Sequence, residues 1–271
     1  MTTVDLHPDI GGLGVHRRRR LRPGTAVALI DFDNWYRATP SASVGAVLQH
    51  CLNEVVRALV ELTEDVLYVL VRIYGGWTEN GVLTALGSDV AAGCAAADPF
   101  PLAIMNQSRI IHGEVQLAHQ LSIAPHIHLG DTSRRRWGPS RLRLNGTPLP
   151  PGCLETMERC PARILQKFTK SPTRSCPVDA CPVTAESAFL TREQKMVDTM
   201  MTCDLLDYVH DADTVAVAVV TADSDLLPPL IHARSLDRCR LLLQTNLPYW
   251  TSEQVALVRA CGIDYQGPEP A

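Results

Sequence analysis

No stretch of this sequence approaches the roughly 18 consecutive apolar residues that a bilayer-crossing helix needs. The opening MTTVDLHPDIGGLGVHRRRR carries a basic block but no apolar core of the kind a secretory signal requires. Neither a membrane span nor an export signal is expected, and a soluble, cytoplasmic protein is. Lysine is nearly missing: of 25 cations only Lys167, Lys170 and Lys195 are lysines. Positive charge is not in excess, because 25 Lys plus Arg face 29 Asp plus Glu for a net of −4. That balance excludes a generally basic nucleic-acid coat protein, whose affinity would come from phosphate neutralisation. No internal repeat is present. Nine cysteines are an odd set without an export signal, which favours reduced thiols or a metal site over a disulfide framework.

What is present is enough to fold. The 271 residues are 46% hydrophobic and 20% charged, which suits one large domain or one domain carrying an insertion. Charge is uneven along the chain: residues 1–150 sum to +1 and residues 151–271 to −5. An acidic site within a locally arginine-rich surface is therefore compatible with the total.

Residues 1–24 read as a poorly ordered basic arm. Thr25–Ile30 is a short apolar run of the kind that forms a strand buried on both faces. Ser43 is positioned to cap a helix whose apolar residues, from Val44 to Leu62, follow the 3.6 period. A second strand is expected at Val66–Tyr74, an Ala-rich helix at 81–97, and short strands near Leu102–Met105 and His126–Leu129. The segment TSRRRWGPSRLR reads as an arginine-rich loop, and 131–185 as an Arg- and Cys-rich insertion. Thr191 is an N-cap candidate for a helix of about 18 residues, REQKMVDTMMTCDLLDYV. A buried strand at Val215–Val220, a short helix, a strand at Leu241–Leu243, a helix at Ser252–Cys261 and a strand at Ile263–Tyr265 complete the pattern. Such alternation predicts a three-layer α/β/α fold, Rossmann-like, with a mainly parallel sheet.

Two buried strands deliver carboxylates at their ends: Asp31 and Asp33 after the first, Asp223 and Asp225 after the later one. Ligands of open parallel sheets bind outside the carboxyl ends of the strands, so these acids are expected in one crevice. Converging carboxylates repel one another unless a cation compensates, and hard Mg²⁺ or Mn²⁺ with oxygen ligands is the natural one. The plainer alternative is that Asp after a strand caps the next helix. The long helix offers a further acid. Asp204 lies six residues past Asp198, roughly 120° round the helix, so one ion cannot take both. Asp198 is preferred because Lys195, three residues before it, would share its face.

With those residues in view, the sequence resembles the NYN domain family, a PIN-like nuclease group. The resemblance rests on ALIDFDNW (Ala28–Trp35), on Lys195-x-x-Asp198 with the following Cys203-Asp204, and on VVTADSDLLPPL (Val219–Leu230). Asp31 with Asn34, Lys195 with Asp198, and Asp223-Ser224-Asp225 with Pro228 fit the family pattern in order. The resemblance implies a domain over 25–266, interrupted by the insertion, with a tail at 267–271. It further implies divalent-metal-dependent cleavage of RNA, as an endoribonuclease. In it Asp31, Asp198, Asp223 and Asp225 hold the metal, Asn34 orients a water or phosphate oxygen, and Ser224 faces the phosphate from a helix N-terminus. Asp33 is an extra acid relative to many members, and the 131–185 segment is an unusual addition.

Within the insertion, Cys153-x6-Cys160 and Cys176-x4-Cys181 span a distance compatible with a four-cysteine zinc site. Four ordinary thiols are the alternative. Cys51, Cys94, Cys203, Cys239 and Cys261 fall in apolar periodic segments and read as core. Three basic clusters stand out: Arg17–Arg20 with Arg22; Arg134, Arg135, Arg136, Arg141 and Arg143 around Trp137; and Arg159, Arg163, Lys167, Lys170 and Arg174. Cations flanking an acidic centre, with Trp77 and Trp137 for stacking, suit single-stranded RNA. The resulting expectation is a ribonuclease in which a metal-activated water attacks a phosphodiester. A homo-oligomer or protein partner stays open.

Two rivals use the same residues. Asp31-x-Asp33 after a strand would serve a haloacid dehalogenase-like phosphatase, with Asp31 as nucleophile and Asp33 as general acid. A non-catalytic module that binds RNA or a partner would keep the fold without the chemistry.

Overall fold

The computed structural model describes residues 20–37, 42–97, 100–104, 109–127, 129–137 and 160–269. The chain divides into two units, Met1–Thr132 with Met196–Ala271, and Ser133–Lys195. The first unit opens with β1 (Thr25–Asp31), α1 (Phe32–Arg37), α2 (Val44–Leu62) and β2 (Tyr68–Tyr74). A small hairpin of β3 (Thr78–Glu79) and β4 (Val82–Leu83) precedes α3 (Ala85–Ala97), β5 (Phe100–Ile104) and β6 (Arg109–Leu117). The second unit supplies β7 (Ser133–Trp137), α4 (Pro161–Phe168), α5 (Ala185–Ala188) and β8 (Leu190–Gln194). The first then resumes with α6 (Val197–His210), β9 (Thr214–Val220), a 3₁₀ turn at Ser224–Leu226, and α7 (Leu227–Ser235). It closes with β10 (Arg240–Gln244), α8 (Ser252–Ala260) and β11 (Asp264–Gln266).

The main sheet has the order β11-β10-β9-β1-β2-β6-β5. Every neighbouring pair is parallel except the edge pair β5 and β6. Period-two side chains sort the core into two faces. Ala26, Ala28 and Ile30 of β1 join Val69, Val71 and Ile73 of β2 in the cluster under α2. Val27 and Leu29 join Leu70, Val217 and Val219 in the cluster under α6, α7 and α8. Because both faces are covered, β1 is buried along its whole length, which is why it reads as a continuous apolar run. The result is a three-layer α/β/α fold. Among the described residues no helix is long and apolar enough to cross a membrane.

Most expected elements occur near their expected bounds, including the Ser43 cap, whose Oγ accepts from the Ala46 amide at 3.3 Å. Four readings need correction. Among the described residues 126, 127 and 129 no strand is found where one was expected at His126–Leu129, and residues 125 and 126 form a turn at Pro125. Instead β6 lies at Arg109–Leu117, unanticipated because buried Ile111, Gly113 and Val115 alternate with His112, Glu114 and Gln116 and the glycine weakens the run. The SRRRW part of the arginine-rich loop is strand, with Ser133 opposite Gln194 and Trp137 opposite Leu190 in the β7–β8 antiparallel pair. Thr191 accordingly lies inside β8 and not at a helix N-terminus. The helix starts only at Val197, after Met196 turns the chain in the left-handed region at φ 62°.

Phe168 packs edge-on against Phe189 with ring centroids 5.9 Å apart, and α5 is closed by a Thr184–Ser187 capping box.

Candidate active site at the carboxyl edge of the sheet

The strand order, not the chain direction, reverses between the parallel neighbours β1 and β9: β2 and β6 lie to one side of β1, and β9, β10 and β11 to the other. Such a switch point opens a crevice at the strands' carboxyl ends, because the connections leave it in opposite directions. Asp31 ends β1 there and Thr221 follows β9.

Asp31 is 1% exposed. Its Oδ2 accepts a short hydrogen bond from Asn34 Nδ2, and its Oδ1 accepts from the Asn34 amide at 3.4 Å. The Thr221 hydroxyl stands 3.5 Å from Asp31 Oδ2 and from Asn34 Nδ2, tying the two strand ends together. The Thr221 Oγ1 also accepts from the Asp223 amide at 3.0 Å, and Asp223 Oδ1 accepts from the Asp225 amide at 2.9 Å. Both strand-end acids thus cap the turn that follows them, which is the plain role open to any Asp in that place. Ser224 and Asp225 are exposed on the 3₁₀ turn, and Pro228 and Pro229 open α7 without an unsatisfied amide.

Asp198 lies in the first turn of α6. Its carboxyl is pushed above the ordinary aspartate range, first by desolvation and then by the charges of Asp223 and Asp225. Acids from two separate elements, α6 and the turn after β9, are therefore close enough to interact. A carboxyl raised on folding favours the folded state below its unfolded pKa of about 3.9, and that preference is lost as pH climbs through the raised value. Asp198→Asn should accordingly be more stable than the wild type at neutral pH, by no more than about 1 kcal/mol for a screened surface charge. The gain should vanish below about pH 4, where the wild-type carboxyl is protonated. Urea unfolding at pH 3.5 and pH 7 checks it, and an equal difference at both would refute it.

The other predicted residues fare differently. Asp204 is fully buried and turned away. Its Oδ2 lies 3.0 Å from Arg72 Nε and accepts from the Tyr74 hydroxyl, and its Oδ1 accepts from the Ser122 amide at 2.8 Å. Desolvation would lower the Arg72 guanidinium, but Tyr74, Asp204 and Tyr208 outweigh it and hold it above its usual value. Lys195 precedes the Met196 turn and lies outside α6, so it shares no helical face with Asp198. Asp33 falls in the first turn of α1.

Trp77 is completely buried, its Nε1 donating to the Ile73 carbonyl at 2.9 Å, so it offers no stacking surface. Among the core cysteines, Cys51 and Cys94 are buried, Cys239 and Cys261 are half-buried, and Cys203 is exposed on α6. Arg20 pairs with Asp213 at 3.4 Å and Arg22 lies over the Tyr68 ring, while Arg17–Arg19 fall outside the described residues. Arg141, Arg143, Arg159 and Cys153 also fall outside them, as do the side chains of Arg135, Arg136 and Trp137. Arg134 is exposed on β7, and Arg163, Lys167, Lys170 and Arg174 lie on and after α4.

Cys160 stands at the N-cap of α4, and Cys176 and Cys181 are free thiols on the loop closed by the Cys176 amide and Val183 carbonyl. Among the described residues no three His, Cys, Asp or Glu side chains converge on a metal-sized point. For the edge acids, the chemistry of the donor set nonetheless fits a hard divalent cation. The donors are all oxygen, and a cation would favour the charged form of the Asp198 carboxyl, which desolvation first and then Asp223 and Asp225 disfavour.

Thr221 is the site residue that sequence reasoning missed. Its signal was local: a hydroxyl residue between a buried strand and an Asp is positioned for a side-chain turn. Comparison with family models, with curated proteins and with solved structures returns no match for this chain.

Proposed function

We propose that this chain is a metal-dependent ribonuclease of the NYN domain family, acting on single-stranded RNA in the cytoplasm. The observation that carries the reading is the Thr221 hydroxyl joining buried Asp31 to the turn that bears Asp223 and Asp225, with Asp198 of α6 close enough to those two acids to feel their charge. In this reading Asp31, Asp198, Asp223 and Asp225 would hold Mg²⁺ or Mn²⁺. Bound there, the ion would supply an activated water and neutralise charge developing on the phosphoryl group. Asn34 and Thr221 fix the Asp31 carboxylate in one orientation, so that it needs no reorganisation when a substrate arrives. The Asp225 amide fixes Asp223 in the same way, leaving the Asp225 carboxylate free to face solvent.

The test is incubation of the full chain with single-stranded RNA in Mn²⁺ and in EDTA. Cleavage in Mn²⁺ alone is expected, and cleavage that survives EDTA would sink the reading. A non-catalytic RNA-binding module is the second reading, favoured by the lack of a converged metal cluster among the described residues. Such a module would bind RNA equally with and without divalent ions and never cleave. The phosphatase reading is less supported, because a nucleophile at Asp31 would be 1% exposed and already bonded to Asn34.

A further inference from the structure

Tyr249 is the one exposed aromatic side chain among those described, at 67%, while Trp35, Tyr74, Trp77, Tyr208 and Trp250 are buried. It stands on the loop between β10 and α8, which is pinned at both ends. The Thr245 amide donates to the Gln266 carbonyl at 2.9 Å, and the Leu247 amide donates to the Thr245 hydroxyl at 3.2 Å. Two further pins reach the candidate site. Asn246 Nδ2 donates to the Trp35 carbonyl at 3.1 Å, one residue past Asn34. Buried Trp250 donates from Nε1 to the carbonyl of Thr221 at 3.4 Å, the residue whose hydroxyl joins the two strand ends. Pro248 narrows the loop's freedom further by fixing its own φ.

A ring kept in water on a loop this constrained is an open stacking surface that loses little entropy when a partner docks. We infer that Tyr249 is the stacking platform for a nucleobase of the RNA strand whose phosphate enters the acidic edge, an inference that rests on the ribonuclease reading. The loop chemistry selects base over phosphate. Thr245, Asn246, Leu247, Pro248, Tyr249 and Trp250 carry no charge, so the loop offers a flat apolar face and no cation for the backbone. Base–aromatic stacking tolerates any sequence, since every base has a π face, so the platform would fix the strand's path without choosing its letters.

The experiment is fluorescence anisotropy of a labelled single-stranded oligouridylate with the full chain, in Ca²⁺ as an oxygen-binding substitute for Mn²⁺. Y249A should weaken binding about 5- to 100-fold, and Y249F should stay within about twofold because the ring is retained. On an abasic oligonucleotide the wild type and Y249A should bind alike. Equal binding of oligouridylate by wild type and Y249A, or an equal loss on the abasic strand, overturns the platform and leaves the ribonuclease reading standing. Wild-type protein that binds no RNA at all overturns both.

Discussion

Asp225→Asn is expected to lower Mn²⁺-dependent cleavage of single-stranded RNA by at least about a hundredfold, with the fold intact. The factor corresponds to about 2.7 kcal/mol of lost transition-state stabilisation, within the several kcal/mol that metal-ion catalysis supplies. Asp225 is the informative position because its side chain is exposed and its structural contribution is a backbone amide, donated to Asp223. An amide in place of the carboxylate removes the charge while keeping the shape. Asp31→Asn would confound the two effects, since its new amide group would meet the Asn34 Nδ2 donor inside the buried edge. Single-turnover cleavage with unfolding curves run in parallel makes the measurement. Undiminished cleavage by Asp225→Asn would remove the acids from the chemistry and leave them as turn caps.

The largest stability effect belongs to Asp204. Its carboxylate accepts from Tyr74 and from the Ser122 amide and faces Arg72, whose side chain is 8% exposed. Asp204→Ala removes the counter-charge of buried Arg72 and the acceptor of the Tyr74 hydroxyl, leaving Arg72 only the neutral partners Gln116, the Gln120 carbonyl and Tyr74, which costs about 3–5 kcal/mol for a broken buried pair. That is a large share of the roughly 5–15 kcal/mol that holds a typical domain together. The double change Arg72→Met with Asp204→Leu should recover most of the loss, because apolar residues of similar volume have no charge to desolvate. Urea denaturation of wild type, the single variant and the double variant completes the cycle. A single-variant loss below about 1 kcal/mol would show that water or a neighbour compensates Arg72 after all. The prediction is independent of the function, since it concerns only what lies beneath the acidic edge.

How much of this was readable in advance follows from the range of each signal. Thr25–Asp31 and Thr214–Val220 announce themselves because a strand covered on both faces must be apolar along its whole length. Strand β6 did not, since only alternate residues are buried and Gly113 interrupts them. The Lys195-to-Asp198 spacing looked helical, and a single left-handed residue, Met196, leaves Lys195 outside the helix that begins at Val197. No spacing rule reports a φ of 62°.

The sequence favours Asp198 over Asp204 only through its spacing from Lys195, and the helical angle says no more than that one ion cannot take both. Contact with Arg72 and Tyr74, 130 residues away from Asp204 along the chain in the case of Tyr74, separates them. One acid is spent on a buried ion pair, and the other stands with Asp223 and Asp225. Local chemistry therefore determined the sheet's central strands, the acids at their ends and the caps those acids make, since each depends on residues a few positions apart. Which acids meet, that Thr221 joins the strand ends, and that Tyr249 stays in water were decided by tertiary structure alone. Those facts depend on strand order, and strand order is set by burying two faces of one sheet at once.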